Sequence, residues 1–292
     1  MKYELYSGAG NDFVMVNNLT EKIPHGRQKE LTVWLCNEKF PEIDGVIFAD
    51  KPEMNGSSIR MNYFNRDGSF GAMCGNGARC VSMFAYKNGL IAYKEFNIEA
   101  VNDLYSAVII DDVNVKIGFP EPKEVKTGIH ITANFGEGEK KLNVSFVNVG
   151  SDHIVLFIDE EINKIALSCK HMDELDVNSA GRVLRFHDDF KPRGGNVNFA
   201  QVLPGGMIRL RTYERGVERE TLACGTGIIS TGIAAMLQKG ISSPVKVQVQ
   251  SGEVLTVEGD LKGGRITGLT LTGSARKIGA GEITDIPLEL KA

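Results

Sequence analysis

Two short stretches of this chain place a cysteine at the head of a glycine-rich turn. Cys74-Gly75-Asn76-Gly77 and Cys224-Gly225-Thr226-Gly227 share one pattern and lie 150 residues apart. A tyrosine, Tyr63 or Tyr213, stands eleven residues before each cysteine. After each turn comes a run with helical character. The first covers Ala78 to Lys87 and stops at Asn88-Gly89; the second covers Ile228 to Lys239 and stops at Gly240. Glycine just past the last helical residue is a common stop signal. Each turn thus predicts a strand end, a cysteine and the start of a helix.

That placement has chemical consequences. The first N–H groups of a helix lack intrahelical acceptors and carry partial positive charge. A carboxylate docked there is stabilised without a cationic side chain. A thiol there is acidified, because its thiolate gains the same stabilisation. Two such turns facing one bound carboxylate would set a thiolate on one side of the adjacent carbon and a thiol on the other. One removes the α-proton and the other returns a proton to the opposite face, which inverts a stereocentre. A lone Cys-Gly-x-Gly turn is as readily explained by packing. Recurrence at a constant offset, with the tyrosine in step, favours chemistry at Cys74 and Cys224. Cys80 lies inside the first helical run opposite Ser230 in the repeat, so it is assigned to packing, as are Cys36 and Cys169.

A second repeat supports duplication. Gly10-Asn11-Asp12-Phe13 and Gly150-Ser151-Asp152-His153 each lead into an apolar run. Two copies of a long unit imply two related domains rather than a solenoid. Alternating apolar positions predict strands at Ile59/Met61/Tyr63, Ile208/Leu210/Thr212 and Val245/Val247/Val249, with a hairpin turn at Ser251-Gly252. A helix is expected from about Lys29 to Lys39, holding the single Trp34 in packing. The expected fold is α+β (mixed α/β). The expected domains are residues 1–120 and 121–276, divided near Phe119-Pro120-Glu121-Pro122, with residues from about 277 to 292 packing back on the first.

Composition narrows the function classes. With 42% hydrophobic residues and a net charge of −4, the chain can build ordinary cores and has no basic surface for nucleic acid. The N-terminus lacks the apolar run of a signal peptide, and no stretch reaches the length of a membrane span, so a cytoplasmic location is expected. Five irregularly spaced cysteines fit neither a disulfide framework nor a common zinc pattern, and no metal is expected.

These motifs together resemble the diaminopimelate epimerase family over nearly the whole chain. The matching blocks are Gly8-Ala9-Gly10-Asn11-Asp12-Phe13-Val14, Phe64-Asn65-Arg66-Asp67-Gly68-Ser69 with Met73-Cys74-Gly75-Asn76-Gly77-Ala78-Arg79-Cys80, Gly195-Asn196-Val197-Asn198-Phe199, and Tyr213-Glu214-Arg215-Gly216 with Glu220-Thr221-Leu222-Ala223-Cys224-Gly225-Thr226-Gly227. The resemblance implies two pseudo-symmetric domains, each a curved, mostly antiparallel sheet around a central helix, with the active site in the cleft between them. It implies a cofactor-independent isomerase converting L,L- to meso-diaminopimelate, a precursor of lysine and peptidoglycan, and a homodimer. Cys74 and Cys224 would be the catalytic acid–base pair. Gly75, Asn76, Gly225 and Thr226 would hold the reacting carboxylate and amino group. Asn11, Asn65, Asn196 and Arg215 would hold the rest of the substrate, with Glu214 meeting an ammonium. His153 and Glu214 would each support one thiol.

Two departures bear on the distal end. Ser151 stands where the family commonly has Asn, and Asp152 where Pro is usual. Three alternatives stay open: racemisation of another amino acid, such as histidine; a non-catalytic amino-acid-binding protein; and a redox or zinc protein using the cysteines. A hydroxyproline-type activity is disfavoured by Asn76, because that type usually has His there.

Overall fold

The computed structural model describes residues 1–290 apart from Ala72 and Lys170; residues 291 and 292 of the expected C-terminal segment lie outside the described residues. The chain divides into two compact units, one of residues Met1–Gly118 with Thr272 onward, the other Phe119–Leu271.

In the first unit a two-residue turn, Ala9-Gly10, joins the antiparallel strands Lys2–Gly8 and Asn11–Asn17. Both turn residues have positive φ, 55° and 90°, the backbone of a hairpin turn whose twist matches the strands. Four more strands follow: Gly45–Asp50, Ile59–Asn65, Glu95–Ala100 and Asp103–Ile109. Their successive pairings run parallel, antiparallel, parallel and antiparallel. The strand Arg276–Glu282 returns to pair with Lys2–Gly8.

The second unit repeats this order. Glu139–Asn148 pairs antiparallel with Asp152–Phe157, which pairs parallel with Asn196–Val202. Antiparallel Ile208–Glu214, parallel Val245–Gln248 and antiparallel Val254–Lys262 complete it. Both units therefore carry the same alternation of pairings, and both insert a helix after the fourth strand of the series. The fold is mixed α+β, sheet-dominated and duplicated. Among the described residues, no helix is long and apolar enough to cross a membrane.

The inserted helices are Gly75–Lys87 and Gly225–Gln238, each three residues longer at its start than the periodicity predicts. The glycines and Asn76 or Thr226 join the helix rather than the turn, because Cys74 and Cys224 take the extended N-cap conformation themselves (φ −103° and −126°). Their carbonyls accept the first helical bonds, from the N–H groups of Ala78 (2.8 Å) and Ile228 (2.9 Å). Gly89 and Gly240 follow the two ends with φ of 68° and 64°, which stops each helix where a side chain would be strained.

Both helices are buried along nearly their whole length, so the sheet of each unit wraps its own helix. Large apolar groups such as Val81, Met83, Ile228 and Ile233 are removed from water, contributing roughly 1.5–3 kcal/mol each. Close approach needs small residues too. A Cβ on Gly232 would lie 2.8 Å from Val257 Cβ.

The Trp34 helix differs from expectation. An α-helix spans His25–Trp34 and continues into a π-helical turn, Leu35–Lys39. Leu31, Leu35 and Cys36 are buried against the sheet, and the wider turn keeps Leu35 and Cys36 both facing it. Burial pushes the Cys36 thiol up, as it does that of Cys169, buried in the core of the second unit. Both then behave as small apolar groups.

Candidate active site

The first unit assembles Cys74, Gly75, Asn76 and Asn11 around one helix start. Cys74 Sγ accepts from the Gly77 N–H at 3.4 Å, the position of an N-cap oxygen. Asn76 Nδ2 donates to Asn11 Oδ1 at 2.6 Å. Asn11 belongs to the strand after the Ala9-Gly10 turn, so this bond ties the helix start to the hairpin. Arg79, one turn further on, is fully buried. Its guanidinium donates to Asn76 Oδ1 (2.8 Å), to the Gly75 carbonyl (3.3 Å) and to the Ser274 carbonyl (3.1 Å). A buried cation therefore sits beneath the helix N-terminus and adds to its positive potential. Asn65 lies at the end of another strand of the unit. It accepts from Tyr63 Oη at 2.8 Å and donates to Ser69 Oγ at 3.0 Å.

The second unit builds the equivalent corner with different residues. Thr226 occupies the place of Asn76 and Ser151 that of Asn11, and Ser151 Oγ donates to Thr226 Oγ1 at 3.1 Å. The contact made by two amides in one unit is made by two hydroxyls in the other. Cys224 Sγ lies 3.6 Å from Thr226 Oγ1. His153 joins this group: its Nε2 is 2.8 Å from Ser151 Oγ and 2.9 Å from Thr226 Oγ1.

His153 is fully buried. Burial, reinforced by the nearby Arg215 charge and opposed by Asp152, pushes its pKa down from 6.5 to about 3. The ring is neutral at physiological pH and acts as a hydrogen-bonding group, not as a cation. The unfolded chain, with an ordinary histidine, takes up a proton the folded chain refuses. Stability therefore falls as pH drops from 6.5 towards 3. A His153→Gln variant is expected to lose part of that slope in urea titrations at pH 7, 5.5 and 4.5. An identical slope would show that the ring contributes none of it.

Asn196 and Arg215 gather around Asp152. Asn196 Nδ2 donates to the Asp152 carbonyl at 3.0 Å, and its Oδ1 accepts the Arg215 N–H at 2.9 Å. The Arg215 side chain reaches Asp152 Oδ2 at 3.3 Å. Asp152, itself buried, also takes Arg193 Nε at 2.9 Å and Asn148 Nδ2 at 2.7 Å. Two guanidinium groups sharing one carboxylate leave a local charge of about +1, suited to one incoming carboxylate. Glu214, at the end of its strand, accepts from Thr221 Oγ1 at 2.8 Å. Arg79 and Arg193 were not singled out by sequence reasoning. Arg79 lay in the Cys74 block, and a charged side chain inside a run of helix-core positions was the available signal.

The diaminopimelate epimerase family model matches residues 3–128 and 145–278, one segment over most of each unit. The chain belongs to the diaminopimelate epimerase family. It is 37% identical to the diaminopimelate epimerase of a Hydrogenobaculum species over 265 residues, 87% of this chain and 91% of that one. It is 35% identical to that of Aquifex aeolicus over 99% of this chain and the whole of the other. The fold recurs more widely than the family. A Bacillus anthracis phenazine biosynthesis protein of the PhzF family superposes with a TM-score of 0.70 at 12% identity, covering 97% of this chain and 99% of that one. A probable proline racemase from Agrobacterium radiobacter superposes at 0.66 with 16% identity, covering 99% and 94%. At such identity the likeness concerns the fold alone.

Proposed function

We propose that this chain interconverts L,L- and meso-diaminopimelate, with Cys74 and Cys224 as base and acid on opposite faces of the α-carbon and without pyridoxal phosphate. The observation that carries this reading is the duplicated N-cap: each unit sets one cysteine at the head of a buried helix. The helix starts bind the α-carboxylate through Gly75, Asn76, Gly225 and Thr226. One thiolate takes the α-proton and becomes a thiol. The negative charge left on carbon spreads into the carboxylate, where the helix N–H groups stabilise it as oxyanion donors do. The other thiol delivers its proton to the opposite face and becomes a thiolate, so one proton leaves and one arrives.

Arg215 and Asn196 take the distal carboxylate, Glu214 the distal ammonium, and Asn11, Asn65 and Ser151 the remaining polar groups. A second reading, racemisation of another amino acid on the same scaffold, is favoured by one observation: Asp152 already engages Arg215. A single experiment separates the two. Pure reduced protein is incubated with L,L-diaminopimelate in D₂O, without pyridoxal phosphate, and product is read by mass and chirality. Meso product carrying one deuterium is expected. Exchange into histidine, with none into diaminopimelate, would move the substrate. No exchange into any amino acid would leave a binding protein.

A further inference from the structure

The parallel pair at the centre of each unit has the same register, which allows a residue-by-residue comparison. Phe13 faces Gly45 in one unit and His153 faces Asn196 in the other. Two positions on, Ile47 corresponds to Asn198. The glycines of the two turns agree. A Cβ on Gly77 would meet Ile47 Cδ1 at 2.8 Å, and one on Gly227 would meet Asn198 Oδ1 at 2.5 Å. Where one unit has the apolar pair Phe13 and Ile47, the other has the polar pair His153 and Asn198. Both members are fully buried. Two polar groups buried where the same fold accepts two apolar ones must be met by hydrogen bonds to stand there, and those bonds give the pair its task.

The hydrogen bonds define it. Asn198 Nδ2 lies 3.1 Å from His153 Nδ1, 3.2 Å from the Ile154 carbonyl and 3.4 Å from the Asn196 carbonyl. Asn198 Oδ1 accepts from Thr212 Oγ1 at 3.1 Å. Turning the amide over would press its oxygen against two carbonyl oxygens, so the nitrogen faces the ring. An amide nitrogen only donates, and His153 Nδ1 must therefore accept. The ring proton of the neutral imidazole then sits on Nε2, directed at Ser151 Oγ and Thr226 Oγ1. Ser151 donates to Thr226, and the Thr226 proton is left to point at Cys224 Sγ, 3.6 Å away.

We infer that Asn198 is a positioning residue that fixes the His153 tautomer, and through it the direction of a hydrogen-bond chain that ends by donating to Cys224 Sγ. The chain favours the thiolate of Cys224. It makes His153 a donor at its Ser151–Thr226 edge in the resting protein, not a base there. The opposite tautomer would set two donors against each other at Asn198 and offer Nε2 as an acceptor, drawing the Thr226 proton away from sulfur. The charged groups near the ring, Asp152 on its own strand and Arg215 after the Ile208–Glu214 strand, do not bond it in either form. This inference rests on the proposed function only for what the thiolate is for; the proton positions are independent of substrate.

The test uses the whole chain without substrate. Two-bond ¹H–¹⁵N correlation spectra at pH 7 report which ring nitrogen carries the proton, with His153 assigned by the loss of its signals in His153→Gln. A protonated Nε2 and bare Nδ1 are expected in the wild type. A protonated Nδ1, or fast exchange between the two forms, would overturn the inference without any variant. Asn198→Leu removes the donor opposite Nδ1 without adding a charge and is expected to release the ring proton to exchange between the two nitrogens. In the same variant, the pH dependence of Cys224 alkylation by iodoacetamide, located by peptide mapping, is expected to shift upward by about one pH unit, roughly a tenfold smaller thiolate fraction below the pKa. An unchanged tautomer in Asn198→Leu would remove the role of Asn198. A changed tautomer with unchanged alkylation would cut the link to sulfur. The diaminopimelate assay stands apart: its failure would change the substrate and leave these proton positions in place.

Discussion

Alanine at position 74 or at position 224 is expected to lower the rate of meso-diaminopimelate formation by about 10²–10⁴, the contribution of one well-placed acid or base. Each single variant keeps one thiol, so the two halves of the reaction come apart. A remaining thiolate can still take the α-proton from the isomer that presents it, and solvent deuterium can return to the same face. Inversion needs the second thiol. Deuterium incorporation that outlasts epimerisation is therefore the signature expected of each variant, from opposite isomers for the two cysteines. Stability moves far less. Cys74 Sγ caps its helix through the Gly77 N–H, and losing such a cap costs roughly 1 kcal/mol. A variant that stays folded, as judged by its thermal midpoint, and still epimerises at the wild-type rate would remove the two-thiol assignment. A variant that merely unfolds would be repeated as Cys→Ser, which keeps size and polarity and lacks an acidic thiol.

Arg79→Met should be the most damaging substitution outside the two cysteines, and it should act through structure. The side chain is fully buried, so methionine fills much of its volume. Its guanidinium bonds are not replaced. Asn76 Oδ1 and the Ser274 carbonyl lose the Arg79 donor, and each such buried bond lost without replacement costs about 1–3 kcal/mol. A loss of about 2–6 kcal/mol in unfolding free energy follows, against the 5–15 kcal/mol typical of natural proteins. Asn76 would also be released to turn its amide, breaking its 2.6 Å bond to Asn11. Urea unfolding of the variant measures the first effect. Substrate KM, rising more than kcat falls in whatever folded fraction remains, measures the second. Wild-type stability would show that the buried cation contributes nothing net, as happens when the desolvation of a charge cancels its contacts.

The motifs proposed to carry chemistry were legible because they are local. A cysteine before Gly-x-Gly at the head of an apolar run reads as a capped helix start whatever surrounds it. The repeat of that unit with its tyrosine exposed the duplication before any strand was paired. The glycines at 89 and 240 closed the helices where expected, since a positive φ is a property of one residue. The helix starts were misplaced by three residues for the same local reason: a glycine-rich turn and a glycine-rich first helical turn look alike in sequence. At Leu35–Lys39 the chain widened into a π-turn that no periodicity encodes, because the sheet surface it packs on is made by residues far away.

The sequence alone determined the chemical types available: two thiols, their glycine turns, and the polar groups of a duplicated scaffold. Only the tertiary structure decided how those groups hold one another. Asp152 read as a departure in sequence, and it proved to be a buried carboxylate shared by Arg193 and Arg215. His153 had the composition of an acid–base group, and burial made it a neutral ring. Asn198 stood in a matching block with no role of its own. Its meaning depends on facing Nδ1 of a ring 45 residues earlier in the chain. The physical reason is the same in each case. A side chain's chemical type is fixed by its own atoms, whereas its protonation, its orientation and its partner are set by the dielectric and the donors around it, and those arrive from distant strands.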